Sequence, residues 1–589
     1  MSTFSPPARA VASAVRPDHL LTPAGSYDCG PADPPLLGLT IGQCLDRTAR
    51  AFPDADAVID LPQRRRHTYR GFNRIVNRAA KAFLRLGIAA GDRVAIWSTN
   101  NDEWVVAQFA TAKIGAILVN INPAYRSHEL EYVLKHSRAR VLILIASYKS
   151  SNYLQMLDEV CPEVKQSEPG RIGSWRFPDL ETVVFIGSEE HPGMLTERAF
   201  AELGDDLPDA ALEERRRRLD PDDEVNIQYT SGTTGFPKGV VLTHHNILNN
   251  ALAVACAMKL TADDRVCVPV PFYHCFGMVL ANLAAVTAGA AIVIPSGSFD
   301  AAATLAAVAG ERCTVLHGVP TMFQALLDDP ARSTTDMTTL RTGVMGGAPS
   351  APSLVRDIAA QLHVPELLIA YGQTEASPVV TLTRTDDSIE RRVSTVGCVL
   401  PHQEIKVVDV ETGLTVPRGA DGELCVRGYQ VMRRYDGQPD ATAEAIDGRG
   451  WLHTGDVGVM EDDGSVRITG RLKDMVIRGG ENIYPREIEE FIGGFEPVSA
   501  VAVVGVPDPK YGEELCACVQ LGPGSIQPTP EEFRGWCREK IAHFKIPRYW
   551  LVLETFPMTV TGKVQKFTLR ENAIRVLGLA ESSQPPVMT

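Results

Sequence analysis

Short apolar runs alternate along the chain with longer stretches whose apolar residues recur at helical spacing. "RVAIWS" (93–98) predicts a buried strand, followed by a polar loop and a helix around Trp104–Lys113. "VNIQYT" places Val225, Ile227 and Tyr229 on one face of a strand. Beyond a Gly/Thr loop, "GVVLTHHNILNNALAVACAMKL" reads as a short strand and a helix that Thr243 caps, with Ile247, Ala251, Leu252 and Ala255 at helical spacing. "TVLHGVP" (314–320) leads into a helix at Thr321, "TGVMGGAP" (342–349) ends in two glycines and a proline, and "LLIAYGQTEAS" (367–377) ends in a polar loop. Strands that alternate with helices predict βα units and mostly parallel sheets, and ligands of such sheets gather beyond the carboxyl ends of the strands. The loops at 231–239, 346–349 and 372–375 are therefore expected to converge on one crevice.

From about Val393 to Thr469 the rhythm shortens. "EIKVVDV", "GELCVRG" and "GSVRITG" are short strands between Gly/Asp turns and predict a small antiparallel, barrel-like subdomain. "GRLKDMVIRGGENIYPREIE" is dense in glycine and charge and reads as a linker, with a boundary between separately folded bodies near Leu472. The unit beyond it has strands "VAVVGV" and "CACVQL". Its helix is capped at Thr529, with Pro530 first and Glu532 in the capping-box position, and Phe533, Trp536, Cys537 and Ile541 form its buried stripe. The first 36 residues and the last fifteen are expected to be loose.

At 589 residues the chain is long enough for several domains or subdomains. Its 44% hydrophobic and 22% charged content suits a soluble globular protein. A net charge of −14 argues against general affinity for nucleic acid or anionic membrane. The arginine runs Arg64–Arg66 and Arg215–Arg218 are expected to be solvated. The longest apolar run, Met278 to Pro295, is interrupted by Asn282, Thr287 and Gly289 and reads as a core helix, a glycine stop and a buried strand, with no stable membrane insertion. The twelve cysteines include no C-x-x-C pair, which speaks against zinc and against a secreted disulfide framework. Cytoplasm is the expected compartment. Arg9 and Arg16, with no acid before Asp18, leave organelle import through residues 1–36 as the alternative.

"YTSGTTGFPKGV" (229–240) concentrates hydroxyls, glycines and a lysine, as a phosphate site would, yet it lacks the Gly-x4-Gly-Lys-Ser/Thr spacing of a P-loop. It is followed in order by "AYGQTE", "GWLHTGD", "GRLKD" and "TGKVQK". This ordered series closely resembles the adenylate-forming superfamily of acyl-CoA synthetases, peptide-synthetase adenylation domains and beetle luciferases, over about Thr40 to Glu571. "KIGAILVNINPAYR", "RGGENIYPREIE" and "HFKIPRYW" are most similar to its medium-chain and related fatty acyl-CoA synthetase branch. The resemblance implies an α/β fold. A large N-terminal domain (37–471), with two parallel α/β subdomains and the barrel-like one, would be joined by a hinge to a small mobile C-terminal α+β domain (472–574). It also implies two steps: a carboxylate attacks the α-phosphate of Mg·ATP, then the small domain rotates and the thiol of CoA takes the acyl group and releases AMP. A carrier protein is the alternative acceptor, and a non-catalytic acyl or nucleotide sensor the alternative use of the fold.

The resemblance also assigns residues. Thr230, Ser231, Gly232, Thr233, Thr234, Gly235 and Lys238 would hold the β- and γ-phosphates. Gly346, Gly347 and Ala348 would line the pocket and the nucleotide site. In "AYGQTE", Tyr371 would stack on adenine beside Gly372, Thr374 would donate to phosphate, and Glu375 would ligate Mg²⁺. Asp456 and Arg471 would hold the ribose. Lys473 falls at the hinge. Gly479 and Gly480 either let the pantetheine of CoA pass close to backbone or form a plain turn. Lys563 would bridge the carboxylate and the α-phosphate, where charge develops. Tyr273 and His274, with Phe272 and Phe276, would form the acyl pocket and CoA tunnel for a neutral, apolar acid. His274 is read as pocket or gate and not as a general base, and nothing supports a Cys275 nucleophile.

Overall fold

A computed structural model of the protein describes residues 25–230, 237–348, 351–478, 481–538, 540–559 and 563–579. Two large sheets carry the first part of the chain. One has eight strands and is parallel from Met194–Thr196, through Thr182–Phe185, Val141–Leu144, Arg93–Trp97 and Ile117–Asn120, to Glu224–Thr230. Lys238–Thr243 and Arg434–Tyr435 then close it antiparallel. The other has nine strands, with a parallel centre that includes Val315–Leu316, Thr342–Gly346 and Glu366–Gly372. Helices cover these sheets, so the inner strands are buried on both faces; Ile117–Asn120 and Val141–Leu144 are buried at every position.

The apolar run from Met278 resolves as anticipated. Phe276–Leu283 and Ala284–Ala288 form a continuous buried helical stretch, Gly289 ends it at φ 81°, and Ala291–Ile294 is a fully buried strand. Thr243 caps its helix by accepting from the Asn246 N–H, and Thr529 and Glu532 form the expected capping box.

A third, antiparallel sheet of five strands is the barrel-like subdomain: Tyr27–Cys29, Gln403–Val408, Asp421–Gly428, Leu452–Met460 and Val466–Arg471. Its first strand corrects the expectation that residues 1–36 are loose, because Tyr27 pairs with Lys406 and its hydroxyl donates to Glu404 at 2.6 Å. A three-residue strand whose partner lies far along the chain leaves no local periodicity to read; residues 1–24 lie outside the described ones.

The segment read as a linker is also corrected. Val476–Arg478 and Glu481–Ile483 pair antiparallel, and Pro485–Ile492 is a helix. Val476, Ile483, Ile488 and Ile492 are buried, and they anchor a stretch whose polar majority faces outward. The strands Val498–Asp508, Gly512–Leu521 and Tyr549–Val552 complete that sheet. Two smaller limits shift as well. The helix with Phe533 and Cys537 ends at Cys537, which leaves Ile541 outside it, and the helix Lys566–Leu577 runs past residue 575 before Gly578 stops it.

Neither arginine run is a purely solvated face. Arg66 pairs with Asp56 and Glu311, Arg215 donates to the carbonyls of Ile88 and Ile114, and Arg216 pairs with the buried Asp46.

Candidate active site

Two sheets meet at Asp456. On Leu452–Met460 its cross-strand partner is Arg471, whose Nε lies 2.6 Å from Asp456 Oδ1; the Tyr371 hydroxyl, at the end of Glu366–Gly372, donates to Oδ2 at 2.9 Å. Asp456 is 2% exposed, and a carboxylate buried to that degree needs such partners. Burial first, and then the Asp456 charge, raise the Tyr371 phenol well above its usual range. Tyr371, expected to stack on adenine, thus uses its hydroxyl to hold the neighbouring carboxylate.

The turn before Asp456 is pinned to the adjacent strand. The Gly455 N–H donates to Glu423 at 3.1 Å, Thr454 Oγ1 donates to the Leu424 carbonyl at 2.7 Å, and the Asp456 N–H donates to Thr454 at 3.1 Å. Gly455 sits at φ 68°, where a side chain would strain the backbone.

Glu375 lies in the short turn Thr374–Ala376. Its Oε1 accepts from the Tyr435 hydroxyl at 2.9 Å, and Lys238 Nζ lies 4.8 Å from the centre of the same tyrosine ring. Tyr435 therefore joins the flank of the Gly/Thr loop to the candidate metal ligand, by a hydrogen bond on one side and a cation–π contact on the other. The other oxygen of Glu375 has no hydrogen-bond partner among the described residues, and such a carboxylate oxygen suits a hard cation.

Both flanks of the Gly/Thr loop are braced. Tyr229, next to Thr230, hydrogen-bonds His136 at 2.8 Å, and Tyr132 donates to the Pro237 carbonyl at 3.1 Å. Ser231, Gly232, Thr233, Thr234 and Gly235 lie outside the described residues, as do Gly479 and Gly480.

Lys563 comes from the C-terminal part of the chain, where its N–H donates to the Thr559 hydroxyl at 2.9 Å and its carbonyl accepts from the Thr559 N–H at 2.7 Å. A Cβ built on Gly347 would stand 3.8 Å from Lys563 Cε, so the side chain reaches the end of Thr342–Gly346, beside Gly346 and Ala348. Burial lowers the pKa of its ammonium and Arg471 lowers it further, against the pull of Cys275, Asp456 and Glu375. Lys563, Arg471, Asp456 and Glu375 thus share one electrostatic neighbourhood, although they come from separate parts of the chain.

The same neighbourhood includes the aromatic segment at 272–276. His274 Nδ1 accepts from the Phe276 N–H at 3.1 Å, and burial, with Lys563 adding to it, brings its pKa down to about 4. The ring is therefore neutral near pH 7 and carries its proton on Nε2. Burial pushes the Cys275 thiol up to about 12, which makes it a poor nucleophile. The Tyr273 hydroxyl is buried without a hydrogen-bond partner among the described residues. His317 lies 5.8 Å from Phe276, accepts from the Val344 N–H at 3.1 Å, and is brought by burial to about 4. One neutral imidazole thus lies against the Phe276 ring and the other accepts from the Phe276 N–H.

Lys473 is exposed, between the last strand of the five-stranded sheet and the first of the C-terminal sheet. His317 falls in the 317–321 stretch expected to help close the acyl pocket, whereas Tyr435 and Glu423 were not anticipated from the sequence. Neither is marked as a site residue by its local sequence, and only the pairing of distant segments brings it to the site.

A crevice that brings together the flanks of a Gly/Thr loop, a paired Asp–Arg, a glutamate and a lysine from the C-terminal part of the chain has the form of a nucleotide-activating enzyme. The family model for AMP-binding enzymes matches residues 45–436, and that for the AMP-binding enzyme C-terminal domain matches residues 487–563. The chain belongs to the AMP-binding enzymes.

It is 50% identical over 547 residues, 93% of this chain and 99% of the relative, to YngI of Bacillus subtilis (strain 168), which is named as an acyl-CoA synthetase. It is 42% identical over 550 residues, 93% of this chain and 89% of the relative, to the mitochondrial medium-chain acyl-CoA ligase ACSF2 of Mus musculus. The crystal structure of ATP-bound MatB from Rhodopseudomonas palustris superposes with a TM-score of 0.77 at 28% identity, over 91% of this chain and all of that one (100%). The protein is an ATP-dependent acyl-CoA synthetase, an acid–thiol ligase. Among the described residues no helix is long and apolar enough to cross a membrane.

Proposed function

We propose that the acid is an apolar, uncharged fatty acid of medium length, activated as its adenylate in this crevice and transferred to CoA. The observation that carries this reading is the approach of Lys563 to Gly347, beside a neutral His274 and among Arg471, Asp456 and Glu375. An ammonium there meets a carboxylate and the α-phosphate together and stabilises the charge that develops between them. Asp456 would accept from the ribose hydroxyls, held in place by Arg471 and Tyr371. Thr230, Lys238 and the loop between them would take the outer phosphates. Glu375, supported by Tyr435, would hold Mg²⁺, which when bound neutralises phosphate charge. A pocket bounded by Phe272, Tyr273, His274 and Phe276 carries no fixed charge to pair with an amino or second carboxylate group, which favours the apolar acid. The lack of C-x-x-C pairs and the twelve free cysteines support a reducing compartment, and the cytoplasm is the simplest one.

The test is an incubation with Mg·ATP, CoA and an equimolar pool of straight-chain, branched and aromatic carboxylates, read by mass. Medium-chain CoA thioesters are expected to dominate. Acyl-adenylate that accumulates without thioester would point to a carrier protein as acceptor, and a preference for charged or amino acids would overturn the pocket assignment.

A further inference from the structure

The five-stranded sheet sends Leu424, Val426 and Leu452 into the main core, so Glu423, Cys425 and His453 share its opposite face. Cys425 and His453 are direct partners across the ladder. Cys425 Sγ lies 3.5 Å from His453 Nδ1, which lies 2.7 Å from Glu423 Oε2. We propose that these three side chains form a binding site for one thiophilic divalent cation of the Zn²⁺ class.

A thiolate, an imidazole and a carboxylate make a zinc-type donor set. Zinc–ligand bonds of about 2.3 Å to sulfur and about 2.0–2.2 Å to nitrogen and oxygen put neighbouring ligand atoms roughly 3.3–3.6 Å apart around a tetrahedral ion. The sulfur–nitrogen separation already meets that requirement. The nitrogen–oxygen pair, now a hydrogen bond, must open by about half an ångström. Glu423 is 8% exposed, and His453 is the one basic side chain found within ion-pair distance of it among the described residues, so a divalent ion would neutralise a buried carboxylate now held by a single imidazole.

Surroundings complete the site. The second oxygen of Glu423 accepts from the Gly455 N–H, an outer hydrogen bond of the kind that orients a metal-bound carboxylate. Val408 and Trp451 pack against Cys425 and shield the sulfur. The His453 side chain is 34% exposed, which leaves an entry path and a fourth position for water. Binding of the ion would release the Cys425 thiol proton to solvent, as metal binding to a thiol does. The lack of C-x-x-C pairs disfavours zinc on the sequence alone, and the proposed site departs from that expectation. These ligands come from two strands and meet only through their register.

The test is a titration of the metal-stripped full-length enzyme with Co²⁺, a spectroscopic stand-in for Zn²⁺. A near-ultraviolet thiolate-to-cobalt charge-transfer band that saturates at one ion per chain, and that Zn²⁺ bleaches, is expected. Cys425→Ser should abolish the band, and His453→Ala should weaken binding by about tenfold or more. No band would overturn the proposal. So would a band that survives Cys425→Ser, because the ion would then sit on an exposed thiol such as Cys29 or Cys256. If the serine variant does not fold, His453→Ala decides alone, and unchanged affinity in it overturns the site.

Discussion

The large N-terminal part and the small C-terminal part supply the crevice in opposite ways. The first has most of its site residues already paired: Asp456 with Arg471 and Tyr371, Glu375 with Tyr435, and Lys238 over the same tyrosine. The second contributes Lys563, tied through its backbone to Thr559. Their cores differ in the same sense. The apolar clusters of the small part contain only residues from Val476 onward and share none with the clusters of the large part. A body that buries its own core can turn as a unit without exposing it, whereas the paired side chains of the large part hold their geometry whatever the small part does. On the proposed reading, preorganised binding in one part and a cation that withdraws with the other suit a reaction in two steps.

The sharpest way to break this comparison is to remove the withdrawable group. Lys563→Ala is expected to slow adenylation by about 10²–10³, the usual cost of a lost transition-state donor; pyrophosphate release from a saturated enzyme reads it. The paired side should show its loss in binding. Asp456→Ala leaves Arg471 and Tyr371 without their acceptor, and the KM for ATP should rise on the order of 10², since hydrogen bonds to a charged group contribute about 1.5–3 kcal/mol. Tyr435→Phe removes one hydroxyl while the ring stays beneath Lys238, so an increase of about tenfold in the Mg·ATP needed for half-maximal rate is expected.

Two smaller effects sharpen the account. His274 and His317 have folded-state values of about 4 against 6.5 in the free side chain. Between those values the unfolded chain binds protons that the folded chain does not, so stability is full above pH 6.5 and falls as pH drops toward 4. Thermal midpoints measured down that range should decline, and His317→Asn should flatten the decline. Last, Cys275→Ala should change the rate only slightly, where the loss of a true nucleophile can cost on the order of 10⁶.

Much of the layout was legible because its signals are local. The period-two and helical patterns mark βα units, Gly289 marks a stop, and Thr243 and Thr529 mark caps, all within a few residues. The site motifs were legible for the same reason: "AYGQTE", "HTGD" and "TGKVQK" each keep their chemistry in one short run. What stayed hidden depends on register. Tyr435 reaches Glu375 only because Arg434–Tyr435 pairs with Lys238–Thr243, and Cys425 meets His453 only across a ladder. The Tyr27–Cys29 strand was hidden among the prolines and alanines around it, and the buried isoleucines of 476–492 were outnumbered by glycine and charge.

The most direct test of the central claim separates the two half-reactions in Lys563→Ala. Single-turnover formation of acyl-adenylate from acid and Mg·ATP is measured beside thioester formation from preformed acyl-adenylate and CoA. The account predicts a loss of about 10²–10³ in the first and a much smaller loss in the second. Equal losses in both would mean that Lys563 does not leave the crevice between the steps, and the contrast between a fixed and a withdrawable half of the site would be wrong.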